Sequence, residues 1–494
     1  MALAEFVRRG VASCVRGDPQ VRVRGVHHDS REVEPGDLFV SVPGETADGA
    51  RFLDDAFAHG AVAVAASSVT QERVPTLLVR DPRVALGASA SLLYGEPTRA
   101  LATVGITGTN GKTTTGHLVE DILRAAGHRP AFLGTTAFRA PGVERQIGFT
   151  TPEGDAIARL AAEALERGAS HLVMEVSSHG LALHRADACH FRVAAFTNLT
   201  QDHLDFHADM QDYARAKARL FSELSVERSV INVDDAFGAE LAAKGGDVIR
   251  VSRREGADVW SSEASVGRDG ISARVHTPKG DLPLRSPLLG DHNLENLLLA
   301  VGIAVALEVP LDAISAGLRA SLGAPGRLEP IPNTRELRVL VDYAHTPDAL
   351  AHALAALRPL TPGRLWVIFG CGGDRDRAKR PHMGREAARA ADLLLVTSDN
   401  PRTEEPRAIV DEILPGVLEQ AVPALSSEAL AVASRGYRVE LDRRRAIALA
   451  IASARAGDTL LIAGKGHEDY QIIGRDRVPF DDRVEALAAL RGLT

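Results

Sequence analysis

The 494-residue sequence has few cysteines, no excess of basic residues and no long apolar run. Cys14, Cys189 and Cys371 are too scattered for a disulfide framework or a zinc site, which indicates a reducing compartment. Lysine and arginine number 57 against 65 acidic residues, a net charge of −8, so any anion site must be local. No run reaches the roughly 18 apolar residues of a membrane span, and the first residues lack the apolar core of a signal peptide. These absences predict a soluble cytoplasmic protein.

The composition and length fit a globular protein of several domains. Apolar residues make up 45% and charged residues 25%, a balance that excludes disordered, collagen-like and coiled-coil chains. At about 100–200 residues per domain, the length predicts three or four domains. Turn-forming stretches at Tyr94–Arg99 and Gly323–Arg327 mark two boundaries. The predicted domains are residues 1–97, 98–325 and 326–494.

Short apolar runs alternate with amphipathic segments through the middle and last regions. The middle runs are Ala102–Ile106, His171–Val176, Val193–Asn198 and Ser229–Val233, and the late runs are Val339–Asp342, Leu365–Phe369, Leu393–Val396 and Thr459–Ile462. Continuous apolar strands flanked by helices indicate parallel sheets covered on both faces. Both regions are therefore predicted to be doubly wound α/β units, in which ligands bind beyond the carboxyl ends of the strands.

A glycine-rich loop follows the first of these strands. Residues 105–115 read GITGTNGKTTT and lead into an amphipathic helix that is predicted to end at Gly127. Glycines let the backbone wrap around a phosphate, and the N–H groups at the helix start are directed at it. Lys112 would supply a cation, and the Thr113 hydroxyl a magnesium ligand. Although Gly105 lies one residue earlier than usual, the pattern predicts a nucleotide-binding loop rather than an ordinary turn.

Two further segments follow strands with residue types that bind metals or phosphates. Glu175 ends the run LVME and is suited to hold magnesium near a γ-phosphate, with a surface acid as the alternative. His203 and His207 are four residues apart, a spacing that on a helix suggests zinc. Because no third soft ligand accompanies them, a magnesium or phosphate role for His203 is favoured, and a plain polar loop is the alternative.

Lys217 lies on the apolar face of a predicted helix, between Tyr213, Leu220 and Phe221. Two explanations fit this position. The side chain either extends past the apolar face to solvent, or it is desolvated, with a lowered pKa and a neutral amine that can capture CO₂ as a carbamate. A carbamate would convert a cation into an anion able to hold a metal. The residue pattern does not choose between the two.

The last region brings polar residues to several strand ends. Arg327 follows the second boundary and is suited to reach a phosphate. Four loops leave strands, at Val341–Asp348, Gly370–Asp376, Asp399–Arg402 and Gly464–Glu468. Each loop alone is also explained as a solvated turn, but their shared location favours one pocket. A lining of Arg, Asp, Asn and Glu suits a zwitterionic, amino-acid-like ligand.

Taken in order, these motifs resemble those of the Mur ligase family. They are GITGTNGKTTT, TTPE at Thr150–Glu153, MEVSSHGL, NLTQDHLDFH, YARAK, GDHNLEN, APGR, DYAHTPDAL, FGCGGDRD, SDNPRTEEP and GKGHEDYQ. The opening HDSREVEPGDL, at His28–Leu38, is similar to the uridine-nucleotide domain of that family. The resemblance spans nearly the whole chain.

The resemblance implies an α/β fold with the three-domain Mur ligase architecture. A small N-terminal α/β domain would bind the UDP-substrate, a central doubly wound P-loop domain would bind ATP, and a C-terminal Rossmann-like domain would bind an amino acid. The implied reaction is ATP-dependent amide formation through an acyl phosphate, with Mg²⁺ as cofactor. The motifs are most similar to the branch that adds meso-diaminopimelate to UDP-N-acetylmuramoyl-L-alanyl-D-glutamate in peptidoglycan precursor synthesis. A cytoplasmic monomer without nucleic acid or membrane insertion is expected.

By position, the resemblance also implies roles for single residues. ATP is expected on Gly108, Thr109, Asn110, Gly111, Lys112, Thr113 and Thr114, with Asn293, Asn296, Arg327, Asp342 and His345. Magnesium is expected at Thr113, Glu175 and His203, with a carbamylated Lys217 holding a second ion. The UDP-substrate is expected on His28, Ser30, Thr150, Thr151, Ser177 and Arg185. Diaminopimelate is expected on Arg375, Asp399, Asn400, Pro401, Arg402, Gly464 and Glu468. The expected catalytic residues are Lys112, Glu175, His203 and Lys217.

Arg402 is expected to select the amino acid. Diaminopimelate and L-lysine share one amino-acid centre, but diaminopimelate carries an extra carboxylate that an arginine binds with a planar, bidentate fork. Arg375 would hold a second carboxylate, and Glu468 would accept from an ammonium group. In the alternative, Arg402 caps its own turn and pairs with Glu404 or Glu405 in solvent.

Three other functions stay open at this point. A close rival is ligation of L-lysine, and a distant one is folylpolyglutamate synthesis. A rival of another class is a nucleotide-driven switch, which would hydrolyse ATP steadily without an amine acceptor.

Overall fold

Strands and helices alternate along most of the chain, as the sequence predicts. The computed structural model describes residues 1–44, 49–69, 71–204, 206–267 and 269–492. The chain divides into two compact units, the first made of Met1–Ala264, Ala273–Arg285 and Leu294–Ser321, and the second of Ser265–Ser272, Ser286–Asn293 and Leu322–Thr494.

The first unit opens with a five-stranded sheet. Its strands are β1 (Cys14–Arg16), β2 (Val26–His27), β3 (Leu38–Val40), β4 (Ala63–Ala66) and β5 (Thr76–Leu78). Their order is β1-β5-β4-β3-β2, with β1 antiparallel to β5 and the other neighbours parallel. Leu38, Ala63 and Leu77 belong to its buried core, together with Leu86 and Ala90.

An eleven-stranded sheet follows. Its strands are β6 (Ala102–Thr107), β7 (Pro130–Leu133), β8 (Phe138–Ala140), β9 (Val143–Arg145), β10 (His171–Glu175), β11 (His190–Phe196), β12 (Ser225–Asn232), β13 (Val248–Ser252), β14 (Val259–Gly267), β15 (Gly270–Thr277) and β16 (Gly280–Ser286). The order is β16-β15-β14-β13-β12-β11-β6-β10-β7-β8-β9, parallel from β14 to β7. Because β6 lies between β10 and β11, the glycine-rich loop emerges beside the ends of both.

Helices connect these strands and cover the sheets. They are α1 (Leu3–Arg8), α2 (Leu53–Ala58), α3 (Pro82–Leu93), α4 (Pro97–Ala100), α5 (Lys112–Ala125), α6 (Gly154–Glu166), α7 (Ser178–Ala182), α8 (Met210–Ser222), α9 (Ala236–Ala243), α10 (Asp291–Ala306) and α11 (Leu311–Ala320). Leu118, Ile122 and Leu123 bury the apolar face of α5. This helix ends before Gly127, which adopts a φ of +80°, as the sequence predicts.

The eight predicted strands are all present, although several of their ends differ. The predicted run Val193–Asn198 is the strand His190–Phe196, which ends two residues early. Beyond this end, the side chains of Thr197 and Asn198 bond the glycine-rich loop. The Thr197 hydroxyl donates to the Asn110 carbonyl at 2.6 Å, and Asn198 Oδ1 accepts from the Asn110 N–H at 2.9 Å.

The second unit is built on a six-stranded sheet. Its strands are β17 (Glu329–Pro330), β18 (Arg338–Asp342), β19 (Leu365–Phe369), β20 (Leu393–Val396), β21 (Gly436–Val439) and β22 (Thr459–Ala463), in the order β17-β18-β22-β19-β20-β21. All neighbours except β17 and β18 are parallel. The helices are α12 (Pro347–Leu357), α13 (Lys379–Ala390), α14 (Pro406–Leu418), α15 (Ser427–Leu430), α16 (Arg443–Ser453) and α17 (Asp482–Arg491), and β23 (Tyr470–Ile473) and β24 (Asp476–Pro479) form a hairpin.

Two apolar layers cover this sheet, as expected of a doubly wound unit. One layer contains Leu340, Val367 and Leu394, and the other contains Val339, Trp366 and Leu393. Short 3₁₀ helices lie at Ser30–Glu32, Gly49–Phe52 and Arg358–Leu360. In the described parts of the chain, none of the helices has the length and apolar character needed to cross a membrane. The three-domain division at residues 97 and 325 stays a prediction.

Candidate active site

The glycine-rich loop joins β6 to α5 and presents the start of that helix. Gly111 precedes the helix with a φ of +87°, and a Cβ at this position would lie 2.3 Å from Asn296 Oδ1. Only glycine fits there. The Lys112 ammonium donates to the carbonyls of Gly108 and Thr109, at 2.8 and 2.9 Å, which folds its side chain back over the loop. N–H groups at a helix start beside a lysine form an anion-binding cradle.

Gly105 has a different role from the one its motif position suggests. It lies inside β6, where a Cβ would approach the Phe191 ring to 2.6 Å. Its lack of a side chain therefore serves packing between β6 and β11, and the loop itself uses Gly108 and Gly111. This placement explains why the first glycine of the motif is displaced by one residue.

Side chains beneath the loop hold it in place. The Thr109 hydroxyl lies 3.1 Å from the Tyr213 hydroxyl and donates to the Thr200 carbonyl at 3.2 Å. Thr113 and Thr114 occupy the first turn of α5 beside Lys112. Thr115 donates to Asn296 Oδ1 at 3.4 Å, so Asn296 lies beside the loop, and its expected contact with ATP stays a prediction.

Glu175 lies at the end of β10 and is fully buried, so its interpretation as a surface acid is wrong. One carboxylate oxygen accepts from the Thr113 hydroxyl at 3.0 Å and from the Thr135 hydroxyl at 3.0 Å. The other accepts from the Thr135 N–H at 2.9 Å. A buried carboxylate touching the hydroxyl of the phosphate loop is a hard oxygen pair of the kind that Mg²⁺ prefers. These two residues fit the implied ion.

His203 and His207 lie in a turn before α8 and not on a helix. His203 has a φ of +54° and its side chain is 42% exposed, whereas His207 is buried and approaches Asp212 Oδ2 with Nδ1 at 3.3 Å. The His203 ring lies 4.9 Å from the His179 ring, between centroids. Among the residues that the structure describes, no cluster of three or more His, Cys, Asp or Glu side chains is arranged to hold a metal. The four-residue spacing of His203 and His207 therefore does not form a zinc site with other described residues.

Lys217 is buried, with only 1% of its surface exposed, so of the two explanations left open the one in which it extends to solvent is wrong. Its Nζ donates to the Gly108 carbonyl at 2.8 Å and lies 4.3 Å from the centre of the Tyr213 ring. Burial, together with the nearby charge of Lys112, lowers the pKa of the Lys217 ammonium well below its usual value. The side chain thus reaches the underside of the phosphate loop with a strong tendency to be neutral.

Four of the residues predicted for the UDP-substrate lie close together beside Glu175. Thr150 Oγ1 lies 3.0 Å from Thr135 Oγ1, and the Thr151 hydroxyl donates to the Glu175 carbonyl at 3.0 Å. Thr151 Oγ1 also lies 3.1 Å from Ser177 Oγ and accepts from the Ser177 N–H at 2.9 Å. Arg185 donates to the Thr151 carbonyl at 3.0 Å. These four residues therefore lie next to Glu175, one of the predicted magnesium ligands.

The two remaining residues of that set bind elsewhere in the first unit. His28 Nδ1 lies 2.9 Å from Asp155 Oδ2, at the start of α6. Burial disfavours the charged imidazole, but the hydrogen bond and charge of Asp155 outweigh it and raise the pKa of His28. The same partner lowers the pKa of Asp155 against the effect of burial. The Ser30 hydroxyl donates to Asp55 Oδ2 at 2.5 Å.

In the second unit, Arg327, Asp342 and His345 surround Tyr343. The Arg327 guanidinium lies 5.2 Å from the Tyr343 ring centre, and the His345 ring lies 4.6 Å from it. Asp342 is buried and accepts from the N–H groups of Leu328 and Ala344 at 2.7 and 2.8 Å. Burial raises its pKa, although Arg327 opposes the shift. Asn293 belongs to the same unit, and its amide donates to the Leu289 carbonyl at 2.8 Å.

A buried charged network joins the loops after β20 and β22. Asp399, Asn400 and Lys465 are buried, and Glu468 Oε2 accepts from Lys465 Nζ and from Asn400 Nδ2, both at 3.0 Å. Asp399 Oδ1 is buried, accepts no hydrogen bond from any residue that the structure describes and lies 3.8 Å from Lys465 Nζ. A Cβ on Gly464 would approach Asp399 Oδ2 to 2.8 Å. Two carboxylates against one ammonium leave this network net negative, which suits a bound ammonium group.

The two predicted arginines of the amino-acid site both lie beside Gly372. A Cβ on Gly372 would meet Arg402 Nη1 at 2.9 Å and Arg375 Cγ at 3.7 Å. Arg375 is exposed, whereas Arg402 is half-buried, directly after the buried Pro401, with a φ of +52°. Arg402 Nη1 donates to the Gly373 carbonyl at 2.8 Å, so the alternative, in which Arg402 pairs with Glu404 or Glu405 in solvent, is not the arrangement found.

Comparison with known proteins identifies the family. The Mur ligase family catalytic domain matches residues 22–93, the Mur ligase middle domain residues 106–304, and the Mur ligase glutamate ligase domain residues 326–466. A Gloeobacter violaceus protein named UDP-N-acetylmuramoyl-L-alanyl-D-glutamate–2,6-diaminopimelate ligase is 47% identical over 480 residues, which cover 96% of this chain and 95% of that protein. The chain belongs to the Mur ligase family. The resemblance carried by the motifs is thereby confirmed.

Other relatives of this Mur ligase carry the same name. A Geobacter metallireducens protein is 44% identical over 506 residues, covering all of this chain and 99% of that protein. A solved structure of a UDP-N-acetylmuramoyl-L-alanyl-D-glutamate–2,6-diaminopimelate ligase aligns with a TM-score of 0.71 at 32% identity, covering 100% of this chain and 99% of that one. The predicted α/β Mur ligase architecture is therefore confirmed.

Several residues at the sites of this Mur ligase were missed by sequence reasoning. Thr135 follows β7 without a motif, and only the sheet order places it on Glu175. Lys465 and His467 lie inside the motif GKGHE, so their position already marked them. The His467 ring lies 5.1 Å from the Tyr343 ring, which also stands inside a predicted loop. For Lys465, His467 and Tyr343, the available signal was that each is adjacent in sequence to a predicted ligand-binding residue.

Proposed function

We propose that this chain catalyses ATP-dependent addition of meso-diaminopimelate to UDP-N-acetylmuramoyl-L-alanyl-D-glutamate. The observation that carries the proposal is its full-length similarity to enzymes with this name, at 47% identity over 96% of the chain. The buried Glu175, which accepts from the Thr113 hydroxyl of the phosphate loop, supports it, because this pair is suited to hold Mg²⁺ for phosphoryl transfer. We further propose that it works as a cytoplasmic monomer on precursors of peptidoglycan.

The reaction would proceed in two steps, formation of an acyl phosphate and then formation of an amide. A carboxylate oxygen of the D-glutamyl residue attacks the γ-phosphorus of ATP, forming an acyl phosphate and releasing ADP. The amine of diaminopimelate then attacks the acyl carbon, an amide bond forms, and inorganic phosphate and one proton leave. Exclusion of water from the site protects the acyl phosphate against hydrolysis.

The residues of the phosphate loop would bind and orient ATP. N–H groups at the start of α5 would donate to the phosphate oxygens, and Lys112 would exchange the Gly108 and Thr109 carbonyls for phosphate oxygens. Thr113 and Glu175, with His203, would hold Mg²⁺, which neutralises phosphate charge when bound. Thr135 keeps the Glu175 carboxylate oriented through its N–H and hydroxyl.

We propose that Lys217 carries a carbamate in the active enzyme. Its neutral amine would attack the carbon of CO₂, forming an N–C bond as one C=O π bond opens and releasing one proton, so an uncharged buried amine becomes an anion. The burial of Lys217 and its contact with the Gly108 carbonyl support this assignment, because the product would lie directly under the phosphate loop. The carbamate would then be available to a second Mg²⁺.

The amino-acid site is proposed to lie on the loops after β19, β20 and β22. Arg402 and Arg375 beside Gly372 would bind carboxylates, and the net negative network of Asp399 and Glu468 would bind an ammonium group. The assignment of Asn293, Arg327, Asp342 and His345 to the nucleotide remains part of the proposal.

A phosphate-release assay tests the function. Purified enzyme with ATP and Mg²⁺ is expected to release phosphate only when the UDP-dipeptide and diaminopimelate are both present. Omitting each component in turn provides the controls. Steady ATP hydrolysis without an amine would favour a nucleotide-driven switch, and equal rates with L-lysine would favour the lysine-adding reaction.

A further inference from the structure

A fully buried arginine lies between the two loops that carry Arg375 and Arg402. Arg380, in the first turn of α13, has no exposed side-chain surface. Its neighbours are the loop after β19 (residues 370–376) and the loop after β20 (residues 399–405). Burying a guanidinium costs folding free energy unless its N–H groups are hydrogen-bonded. The partners of Arg380 therefore indicate which parts of the fold it stabilises.

Arg380 bonds both loops and a helix at once. Nη2 donates to the Gly372 carbonyl at 3.1 Å and to Glu404 Oε1 at 2.8 Å. Nη1 donates to Glu404 Oε2 at 2.9 Å and to Glu412 Oε2, on α14, at 2.8 Å. The contact with Glu404 is a two-pronged fork, which the single ammonium of a lysine does not reproduce.

The loops are further bonded to each other around this centre. The Asp374 N–H donates to Glu404 Oε1 at 2.6 Å, and the Thr403 hydroxyl donates to the Asp374 carboxylate at 2.9 Å. The Gly373 N–H donates to the Asn400 carbonyl at 2.9 Å. Arg402 therefore donates to the carbonyl of a loop whose position Arg380 fixes.

The backbone of Arg402 is also constrained. It adopts a left-handed φ of +52°, a strained conformation for a side chain of this size. Its N–H donates to the Ile472 carbonyl at 3.0 Å, and its carbonyl accepts from the Gly474 N–H at 2.8 Å. Such strain persists only where surrounding contacts stabilise it. The paired hydrogen bonds between Arg380 and Glu404, two residues after Arg402, are one of these contacts.

We propose that Arg380, acting through Glu404, is a positioning residue that sets Arg402 and Arg375 for a carboxylate at the far end of the incoming amino acid. This inference rests on the proposed function. Loops that are ordered before binding spare the ligand the entropy of ordering them, so the benefit appears as affinity and selectivity for diaminopimelate. Hydrogen bonding from Arg380 lowers the pKa of Glu404 to about 2, which keeps the fork ionised at every pH of an activity assay.

The test is a comparison of Glu404→Gln, Arg380→Lys and Arg380→Gln with a matched control. Arg385→Gln is the control, because Arg385 lies on the same helix and pairs with Glu419 at 2.7 Å near the surface. We expect KM for diaminopimelate to rise by about tenfold or more in the first three variants, the loss that about 1.4 kcal/mol of binding represents. The preference for diaminopimelate over L-lysine should fall in parallel, while kcat and the KM values for ATP and the UDP-dipeptide change little.

A purely structural role for Arg380 would give a different pattern. It would lower the amount of active enzyme and therefore kcat, with an unchanged KM for diaminopimelate, and that result would overturn the inference. If the Arg380 variants do not fold, Glu404→Gln retains the buried arginine, and Thr403→Val removes one loop-to-loop hydrogen bond from an exposed residue. Both should shift KM in the same direction. A wild-type enzyme that adds no diaminopimelate would instead contradict the proposed function.

Discussion

At the scale of single residues, the placement of charge inside the fold is the most informative feature. Lys217, Glu175 and Arg380 are all buried, and each touches a loop with a predicted ligand-binding role. Burial changes the chemistry of such groups, because the charged form loses its hydration unless a partner replaces it. The Glu175 carboxylate accepts from hydrogen-bond donors, and the Arg380 guanidinium donates to carboxylates. Lys217 instead contacts the Gly108 carbonyl and the Tyr213 ring, and burial lowers the pKa of its ammonium.

Replacing Lys217 tests its proposed carbamate. Lys217→Ala should be inactive, and millimolar acetate should restore part of the activity by placing a carboxylate in the vacated space. Lys217→Met is the control, since its side chain fills that space and should prevent rescue. Steady-state rates with and without acetate provide the measurement. Intact mass at ample CO₂ that shows only a free amine would argue against the carbamate.

The pairing of His28 with Asp155 predicts a pH effect of defined sign. The folded-state pKa of His28 is raised above its ordinary value of 6.5, so its contribution to stability is full below about pH 6.5 and is lost as the pH rises through the folded-state pKa. In Asp155→Asn, the largest opposition to the effect of burial is lost, although Glu153 and Asp29 still raise the pKa, so His28 should titrate at a lower pH than in the wild type. An NMR titration of the ring protons, assigned with His28→Gln, measures this shift. Unchanged titration would mean that Asp155 does not set the pKa.

Arg402→Ala tests the selection of the amino acid. We expect kcat/KM for diaminopimelate to fall by about 10²-fold or more, since sites built around such polar pairs discriminate by up to about 10⁴–10⁵-fold. Binding of the UDP-dipeptide should be nearly unchanged. Arg407→Ala is a suitable control, because Arg407 is exposed and pairs with Asp411 on α14. Efficient use of L-lysine by the wild type would refute Arg402 as the selector.

At the scale of elements, parallel strands determine where the chemistry lies. The ends of β6, β10 and β11 are neighbours, so the phosphate loop, Glu175 and the Thr197–Asn198 pair meet although they are far apart in sequence. The same rule brings the loops after β19, β20 and β22 together in the second unit. The site is therefore a property of strand order as much as of motif.

The phosphate loop offers the sharpest test at this scale. Lys112→Ala should lower the rate by about 10²–10³-fold or more, because an electrostatic clamp on the transferred phosphate is lost. Circular dichroism and the melting temperature should stay close to wild type. Lys244→Ala, an exposed lysine after α9, is the control. Near-normal turnover in a folded Lys112→Ala enzyme would remove the loop from the reaction.

Much of this arrangement could be predicted from apolar runs and loop motifs, and the remainder depends on packing. The strand Leu365–Phe369 and the helix after the phosphate loop follow from local patterns, because buried strands and amphipathic helices have their own periodicities. The burial of Lys217 could not be decided from its helix face, since that face does not reveal what packs on it. Thr135 and Arg380 had no motif, and only the sheet and the loop contacts gave them partners.

At the scale of the whole molecule, a chain with a net charge of −8 is proposed to act on two highly anionic substrates. General electrostatic attraction does not help it, so local cations and helix starts must provide the binding. This predicts substrate affinities that depend on a few residues and not on the overall charge. The bond that the enzyme is proposed to form is an amide between the D-glutamyl carboxylate and an amine of diaminopimelate.

Mass spectrometry of the product from one competition reaction tests that claim most directly. The enzyme is given ATP, Mg²⁺, the UDP-dipeptide and equal concentrations of meso-diaminopimelate and L-lysine. We expect one new nucleotide product, whose mass equals the UDP-dipeptide plus diaminopimelate minus one water, formed in step with ADP and phosphate. A lysine adduct of similar abundance, or ADP formation with the UDP-dipeptide unchanged, would contradict the account.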